Sequence, residues 1–421
     1  MQSEAGVLAA LMFAASMWFY VQRVLIPHQI AEAAKYGIPR GNLSDLYPRW
    51  LGARELLLHH RNPYSAEITR EIQAGYYGRP LDPARPHDPR DQQGFAYPVY
   101  VVFLLAPTIS LPFAIVEESF CWFLIFLSAA SVPIWLRAMR WKVSSATLVG
   151  MIALTLGSFQ LLQAIKLQQL SLLVAGLIAL SALLLSREHF VFAGILLAVA
   201  SIKPQITLPV SAWLLLWTLS DWKARSKFFW GFAGTLSALF IGARLVLSGW
   251  PAYFAAAVAD YNRYNQGAYS ILETALGLPW GRITSIVVAL AVAVFAWSHR
   301  RASAGSLEHF QVTALVLAAT VLVMPKTAPY NQVLLLPGVL LVLQRSTRVW
   351  KASFPRRVTA LICAGLVAWP WLASFALFAT MRFHAADQFW ALPLVTVLAI
   401  PLAVLILVQI AITQQAGQRS T

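Results

Sequence analysis

The chain has 421 residues, of which 59 % are hydrophobic and 12 % charged, with 32 Lys+Arg against 17 Asp+Glu for a formal charge of +15. A soluble domain carries about twice that charged fraction, and a mean hydropathy of +0.64 means more apolar surface than one water-bounded core can absorb. An ordinary soluble globule is excluded; a nucleic-acid partner is not expected either, because 23 Phe, 16 Trp and repeated apolar runs of roughly 16 to 22 residues match a bilayer's thickness.

In chain order, the first run, 6–26, has no basic stretch before it and no small-x-small cleavage site after it, so it reads as a retained anchor. A long polar connection, 27–96, follows. Further spans are expected at 114–136, 145–160, 170–185, 190–202, 206–219, 228–247, 283–297, 310–324, 333–343, 358–378 and 389–412, which makes twelve with the first. Runs of this length without period-two alternation are helices, because lipid offers no partner to an open backbone group. The fold class is therefore all-α: a polytopic transmembrane bundle of about twelve helices. The segment 97–113 is also apolar, but Pro98, Pro107 and Pro112 favour a partial or re-entrant passage. A second long connection covers 248–282. No internal repeat or separate soluble domain is visible, so residues 1–421 read as one membrane domain. Cys121 and Cys363 both fall inside apolar runs, which leaves no disulfide framework or metal-binding thiol pair.

Orientation follows from Lys and Arg in short connections, which resist translocation. Clusters at 137–142, 187, 223–227, 300–301 and 345–357 alternate with weakly charged turns around Lys166, Lys203, Lys326 and Arg382. Every second connection then faces the cytoplasm, and the two long connections lie together on the outer side.

The connection 28–96 holds eight of the 17 acids, nine basic residues and four of the eight histidines, which marks it as the polar working surface. Its front half reads as a short amphipathic interfacial helix with Leu46, Trp50, Ala53 and Leu57 at helical spacing. Pro48 is acceptable only in the first turn, so Asp45 stands at or just before the helix N-terminus. There it can cap the helix or act as a base. Arg49 and Arg54 can pair with acids along the helix, reach towards headgroups, or bind phosphate. The proline-rich back half, 79–91, reads as a mobile flap. His59 and His60 lack the spacing of a metal motif, and neither a phosphate-binding glycine loop nor a nucleophile elbow occurs.

Four pieces of this region form a pattern: Ser44-Asp45-Leu46-Tyr47, Gly52-Ala53-Arg54-Glu55, Asn62-Pro63-Tyr64 and Phe95-Ala96-Tyr97-Pro98. Two later ones accompany them, Lys166-Leu167-Gln168-Gln169 and Ser201-Ile202-Lys203-Pro204-Gln205. Together they resemble the GT-C membrane glycosyltransferases, specifically glycosyltransferase family 87, the polyprenyl-phosphate-mannose-dependent alpha-1,2-mannosyltransferase-like group. The resemblance covers most of the first half of the chain; the second half matches mainly in hydropathy. Val99, Leu167 and Arg61-Asn62 depart from the family pattern, standing where a second proline, a glycine and a glycine-rich turn are usual.

The resemblance implies a polyprenyl-phosphate hexose donor, a glycan or glycolipid acceptor, inverting transfer outside the cytoplasm, and a multi-pass inner-membrane location. It implies that Asp45 is the catalytic base. A single displacement with a phosphate leaving group needs one base and no general acid, and neither metal nor cofactor is called for. Cations that can hold the departing phosphate are Arg49, Arg54, Lys166, Lys203, Arg263 and Lys326; Tyr64, Tyr97, Gln168 and Gln205 complete the expected substrate-binding set. Lys203 is singled out because a charge between two apolar helices is costly without an anion or water. The aromatic and amide residues of 249–269 can stack on sugars or belong to the interfacial belt, and Asp260 among them is the second candidate base. The alternative reading is a lipid or glycan flippase, which calls for repeats and for acids at mid-membrane; only Glu117 and Glu118 fall inside a span. A non-catalytic envelope scaffold is the third.

Overall fold

The computed structural model describes residues 2–38, 40–82, 84–264, 269–325, 328–380 and 388–413, and among these the regular structure is all helical, with no strand. Lys326 and Arg382 lie outside the described residues.

The chain opens with a rod over Glu4–Lys35. It consists of α1 (Gln2–Phe19), a π-helical stretch (Tyr20–Leu25) and α2 (Ile26–Lys35). Tyr20, Val21, Val24 and Leu25 of the widened stretch are all buried, and the Tyr20 hydroxyl donates to the Trp390 carbonyl at 2.8 Å. Then come α3 (Tyr47–His59), α4 (Ala66–Tyr77) and α5 (Val101–Leu105), which runs into a single 3-10 turn, Ala106–Thr108. These eight residues rise about 14 Å, less than half of the roughly 30 Å hydrocarbon layer. The helical part of 97–113 is therefore too short to cross by itself.

The main bundle follows: α6 (Phe113–Ala138), α7 (Ser145–Leu156), α8 (Phe159–Lys166), α9 (Leu170–Ser186), α10 (Phe190–Ala200), α11 (Pro204–Leu219) and α12 (Trp222–Val246). Next are α13 (Trp250–Tyr264), α14 (Ile271–Leu276), α15 (Trp280–Ser298) and α16 (Leu307–Val323). The 3-10 stretch Pro329–Leu335 leads into α17 (Leu336–Gln344), then α18 (Ser346–Trp350), α19 (Phe354–Ala379) and, after a 3-10 turn at Leu392–Leu394, α20 (Ile400–Thr413).

Every one of the twelve expected segments is helical, but they divide into two kinds. The rod, α6, α12, α15 and α19 are long and apolar enough to cross a membrane; α7 and α8, bent by 58°, make a broken sixth. The other six, α9, α10, α11, α16, α17 and α20, are 9 to 17 residues long. Short apolar helices of this kind survive where protein rather than lipid surrounds them, and α16 is buried continuously from His309 to Leu322. Glu117 and Glu118 are not at mid-membrane, because α6 starts at Phe113 and places them in its second turn.

The two ends of the bundle differ in chemistry. At one end the Arg225 guanidinium lies over Trp217 and donates to the carbonyls of Trp217, Arg300, Arg301 and Ala302 at 2.7 to 3.3 Å. Arg140 donates to the Ser186 carbonyl at 3.3 Å beside them, since Gly305 abuts Ser186. The basic turns at 137–142, 187, 223–227 and 300–301 thus gather on one side. At the other end of α11, about 24 Å away, sits Lys203. There α13 meets the first long connection: the Tyr261 hydroxyl donates to Asp91 at 2.8 Å and that of Tyr264 to the Pro89 carbonyl at 3.4 Å.

Candidate active site

The position of Asp45 is settled by how α3 begins. The Ser44 hydroxyl accepts from the Leu46 N–H at 3.3 Å, and the Ser44 carbonyl accepts from the Tyr47 N–H at 3.0 Å. Pro48, in the first turn, has no N–H to satisfy. With these groups accounted for, the N-terminus does not use the Asp45 carboxylate, and no side-chain cap is present. The capping role open to Asp45 in the sequence is therefore not the one it takes. Its backbone N–H donates instead to the Leu167 carbonyl at 2.8 Å, in the break between α8 and α9. Its side chain turns into the protein and is 9 % exposed.

Three side chains donate to that carboxylate. Oδ1 accepts from the Tyr76 hydroxyl at 3.0 Å and from Gln93 Nε2 at 3.2 Å; Oδ2 accepts from Gln169 Nε2. The network continues behind Gln169, whose Oε1 accepts from Lys203 Nζ at 3.1 Å. The same ammonium donates to Ser171 Oγ and, at 3.4 Å, to Asn331 Oδ1, and lies 5.0 Å from the centre of the Tyr330 ring. Ser171 Oγ in turn donates to Asn331 Oδ1 at 2.8 Å. On the other flank, Arg49 Nη1 donates to the Asp45 backbone carbonyl at 2.7 Å, and its guanidinium lies 4.3 Å from the Tyr97 ring centre. Arg49 Nε is buried and has no hydrogen-bond partner.

Burial pushes the Asp45 carboxyl above its ordinary range; Arg49 pulls it down, Asp91 pushes it further up, and the Tyr76 hydrogen bond and Lys203 pull it down. Burial also drives the Tyr76 hydroxyl far upward, which keeps it a donor at neutral pH. A desolvated carboxylate of raised proton affinity, with two cations close by, is suited to take a proton from a hydroxyl while anionic charge develops beside it.

The other expected site residues separate into those the fold brings here and those it does not. Asp45, Arg49, Tyr97 and Lys203 assemble. Tyr64 is one step removed: its hydroxyl donates to the Tyr97 carbonyl at 2.6 Å. Arg54 lies over Trp50 at 5.4 Å. Lys166 reaches Gln29 at 3.5 Å and lines a cavity of about 1010 Å³ with His28, Glu32, Gln163 and Leu167, a cavity that Asp45, Arg49 and Lys203 do not line. Gln205 is exposed. Asp260 is exposed and paired with Arg263. His59 and His60 are exposed, and no group of three or more His, Cys, Asp or Glu is arranged to hold a metal among the described residues.

The glutamine pair reverses the expected assignment. Gln168 has φ +46 and donates its amide to the Ile165 and Lys166 carbonyls, both at 2.9 Å, closing the end of α8. Gln169, not Gln168, faces the carboxylate. The left-handed position is the one a glycine favours, so the register of a Gly-Gln pair maps onto Gln168-Gln169, a signal present in the sequence. Tyr76, Gln93, Ser171 and Asn331 carried no such signal.

Packing holds α3 in place. Leu46, Trp50, Ala53 and Leu56 are buried on protein, with Leu56 taking the place given to Leu57. The Cβ of an alanine at Gly52 would stand 2.2 Å from the Phe95 ring, and one at Gly75 would meet the Tyr47 ring at the same distance. These two glycines let residues 93–97 and α4 close on α3, which is how Gln93 and Tyr76 reach Asp45. The connection 79–91 is irregular, as its prolines suggest, but tied: Arg79 forms a two-pronged pair with Asp88 at 2.6 and 3.0 Å, and Asp88 also accepts from the Asp82 N–H at 2.8 Å. Arg61 likewise gathers Glu55, Glu67 and Glu71 within 3.0 Å between α3 and α4.

Comparison with known proteins gives one family. The model of glycosyltransferase family 87 matches residues 95–325. That stretch includes Tyr97, Gln169 and Lys203 and extends past the middle of the chain, whereas Asp45 precedes it. No curated protein and no solved structure gives a match.

Proposed function

The chain belongs to glycosyltransferase family 87 and is a membrane glycosyltransferase, and from that premise we propose that it transfers a hexose, mannose in the first instance, from polyprenyl phosphate to an acceptor hydroxyl. Asp45 is the base. It takes the proton of the acceptor hydroxyl as that oxygen attacks the anomeric carbon from the side opposite the phosphate, inverting the centre. Lys203 and Arg49 stabilise the phosphate that departs, and Gln169 holds the carboxylate and the ammonium at a fixed separation. The gathering of Lys/Arg-rich turns at the opposite end supports an outward-facing site, because such turns stay cytoplasmic. The acceptor is a glycan or glycolipid.

The observation that carries this reading is the enclosed Asp45 carboxylate, released from helix capping and set between Lys203's network and Arg49. The test is transfer of label from polyprenyl-phosphate mannose or glucose into membrane lipid extract by purified, reconstituted protein. Asp45→Asn is expected to lower the rate by about a hundredfold or more, with an unchanged melting profile. A folded Asp45→Asn protein at the wild-type rate would remove the base from the scheme. Label moving between leaflets with no new glycan would favour a flippase.

A further inference from the structure

A second carboxylate faces Asp45 across a single amide. Gln93 Nε2 lies 3.2 Å from Asp45 Oδ1 and 3.0 Å from Asp91 Oδ2, so one NH2 group serves two anions. Gln93 is 5 % exposed and holds φ +50, a left-handed backbone that side chains other than glycine rarely adopt. The surroundings fix that conformation. Asp91 Oδ1 accepts from the Tyr261 hydroxyl at 2.8 Å, and its backbone carbonyl accepts from the Tyr77 hydroxyl at 2.7 Å. Tyr77 stands next to Tyr76, the other donor to Asp45, so the end of α4 holds both the Asp45 carboxylate and the Asp91 main chain.

We propose that Asp91 is a positioning residue of the transfer reaction, acting on the Asp45 carboxylate through the shared Gln93 amide and anchored by Tyr261 of α13. The proposal rests on the reading of Asp45 as the base. With the Tyr76 hydroxyl, the amide fills both lone pairs of Oδ1, and hence directs an incoming hydroxyl to the lone pair of Oδ2 that Gln169 leaves open. Because the amide divides its two hydrogens between two anions, Asp45 does not receive its full donor strength. Through Tyr261 the second long connection reaches the reacting group, although it supplies no atom to it.

The groups that face Asp45 are Arg49 from α3, Tyr76 from α4, Gln93 and Asp91 from 91–93, Tyr97, Gln169 ahead of α9, Lys203 ahead of α11, and Tyr330. In this set Asp91 opposes ionisation of Asp45 and the Gln93 N–H favours it, so their removal has opposite signs.

Infrared difference spectroscopy of the reconstituted protein follows the protonated-carboxyl band that is lost in Asp45→Asn. In Asp91→Asn the midpoint of that band is expected about one pH unit lower than in wild type, and in Gln93→Ala higher. Asp91→Glu, which keeps the charge, should restore the wild-type midpoint, and Tyr261→Phe should lower kcat for transfer with the donor KM unchanged. An unmoved midpoint in Asp91→Asn, shifts of the same sign in Asp91→Asn and Gln93→Ala, or a wild-type midpoint in the ordinary carboxylate range would each overturn the proposal. The titration needs no substrate. Its failure leaves the transfer reading intact, and transfer that is independent of Asp45 leaves the titration result standing.

Discussion

A carboxylate buried among donors is pulled two ways: desolvation favours its neutral form, and each N–H or O–H aimed at it favours the charged one. For Asp45 burial is the larger effect, and the carboxyl lies above its ordinary range. A base works only when ionised, so activity should fall as pH drops through the raised value. The acid limb of kcat/KM against pH is therefore expected above the ordinary carboxylate range, and a limb within that range would contradict the burial argument. The adjacent glutamines give a sharper comparison. Gln169→Ala removes a hydrogen bond to a charged group, worth about 1.5 kcal/mol, and should cut kcat about tenfold; Gln168→Gly, at a left-handed position remote from the carboxylate, should leave kcat near wild type. Equal effects would mean that the cluster is not built as described. Which role Asp45 takes could not be read from its neighbours alone, because a cap and a base differ only in whether Ser44 and Pro48 have already satisfied the first turn. For Gln169 the sequence does hold a signal, the register of a Gly-Gln pair, and the left-handed φ of Gln168 is what makes it readable.

Among the elements, α3 shows what a hydropathy pattern omits. The spacing of Leu46, Trp50 and Ala53 identified its apolar face, and that face is buried; what covers it, Phe95 and the residues after it, comes from more than forty positions further along the chain. Gly52 is the contact point. Gly52→Ala forces a Cβ into the Phe95 ring, which is itself 2 % exposed and has nowhere to move. Overpacking of this kind costs about 1 to 3 kcal/mol. The variant should melt several degrees lower and transfer more slowly, and Phe95→Leu added to it should recover part of the stability. If Gly52→Ala melts as wild type does, the close approach of residues 93–97 is wrong. The prolines of 79–91 announced an irregular segment, yet the Arg79–Asp88 pair that ties it follows no local rule.

At the scale of the molecule, the existence of the helices was legible, since in lipid each segment must satisfy its own backbone; their ends were not, as the last one begins at Ile400 rather than 389. How many of them cross was less so. Hydropathy cannot distinguish a helix surrounded by lipid from one surrounded by protein, as the continuous burial of α16 makes plain, and half of the expected spans are short apolar helices. The site was the least legible part, because it joins residue 45 to 93, 169, 203 and 331, and no periodicity encodes which loops meet. The arginines that collect at 225 and 300 lie at the end away from Asp45. Reporter fusions after Lys142 and after Arg301 should both give a cytoplasmic signal. An external signal at both would invert the assignment and bring Asp45 to the cytoplasmic face.

The hydrogen bond from the Asp45 N–H to the Leu167 carbonyl has a mechanical consequence. It fastens the acid to the same short linker that carries Gln169, so tilting of the kinked α7–α8 unit as bilayer thickness changes would transport both residues together. Their mutual geometry would then be indifferent to lipid chain length, and thinner or thicker membranes should alter how easily a donor enters far more than how fast the chemistry runs once it is bound.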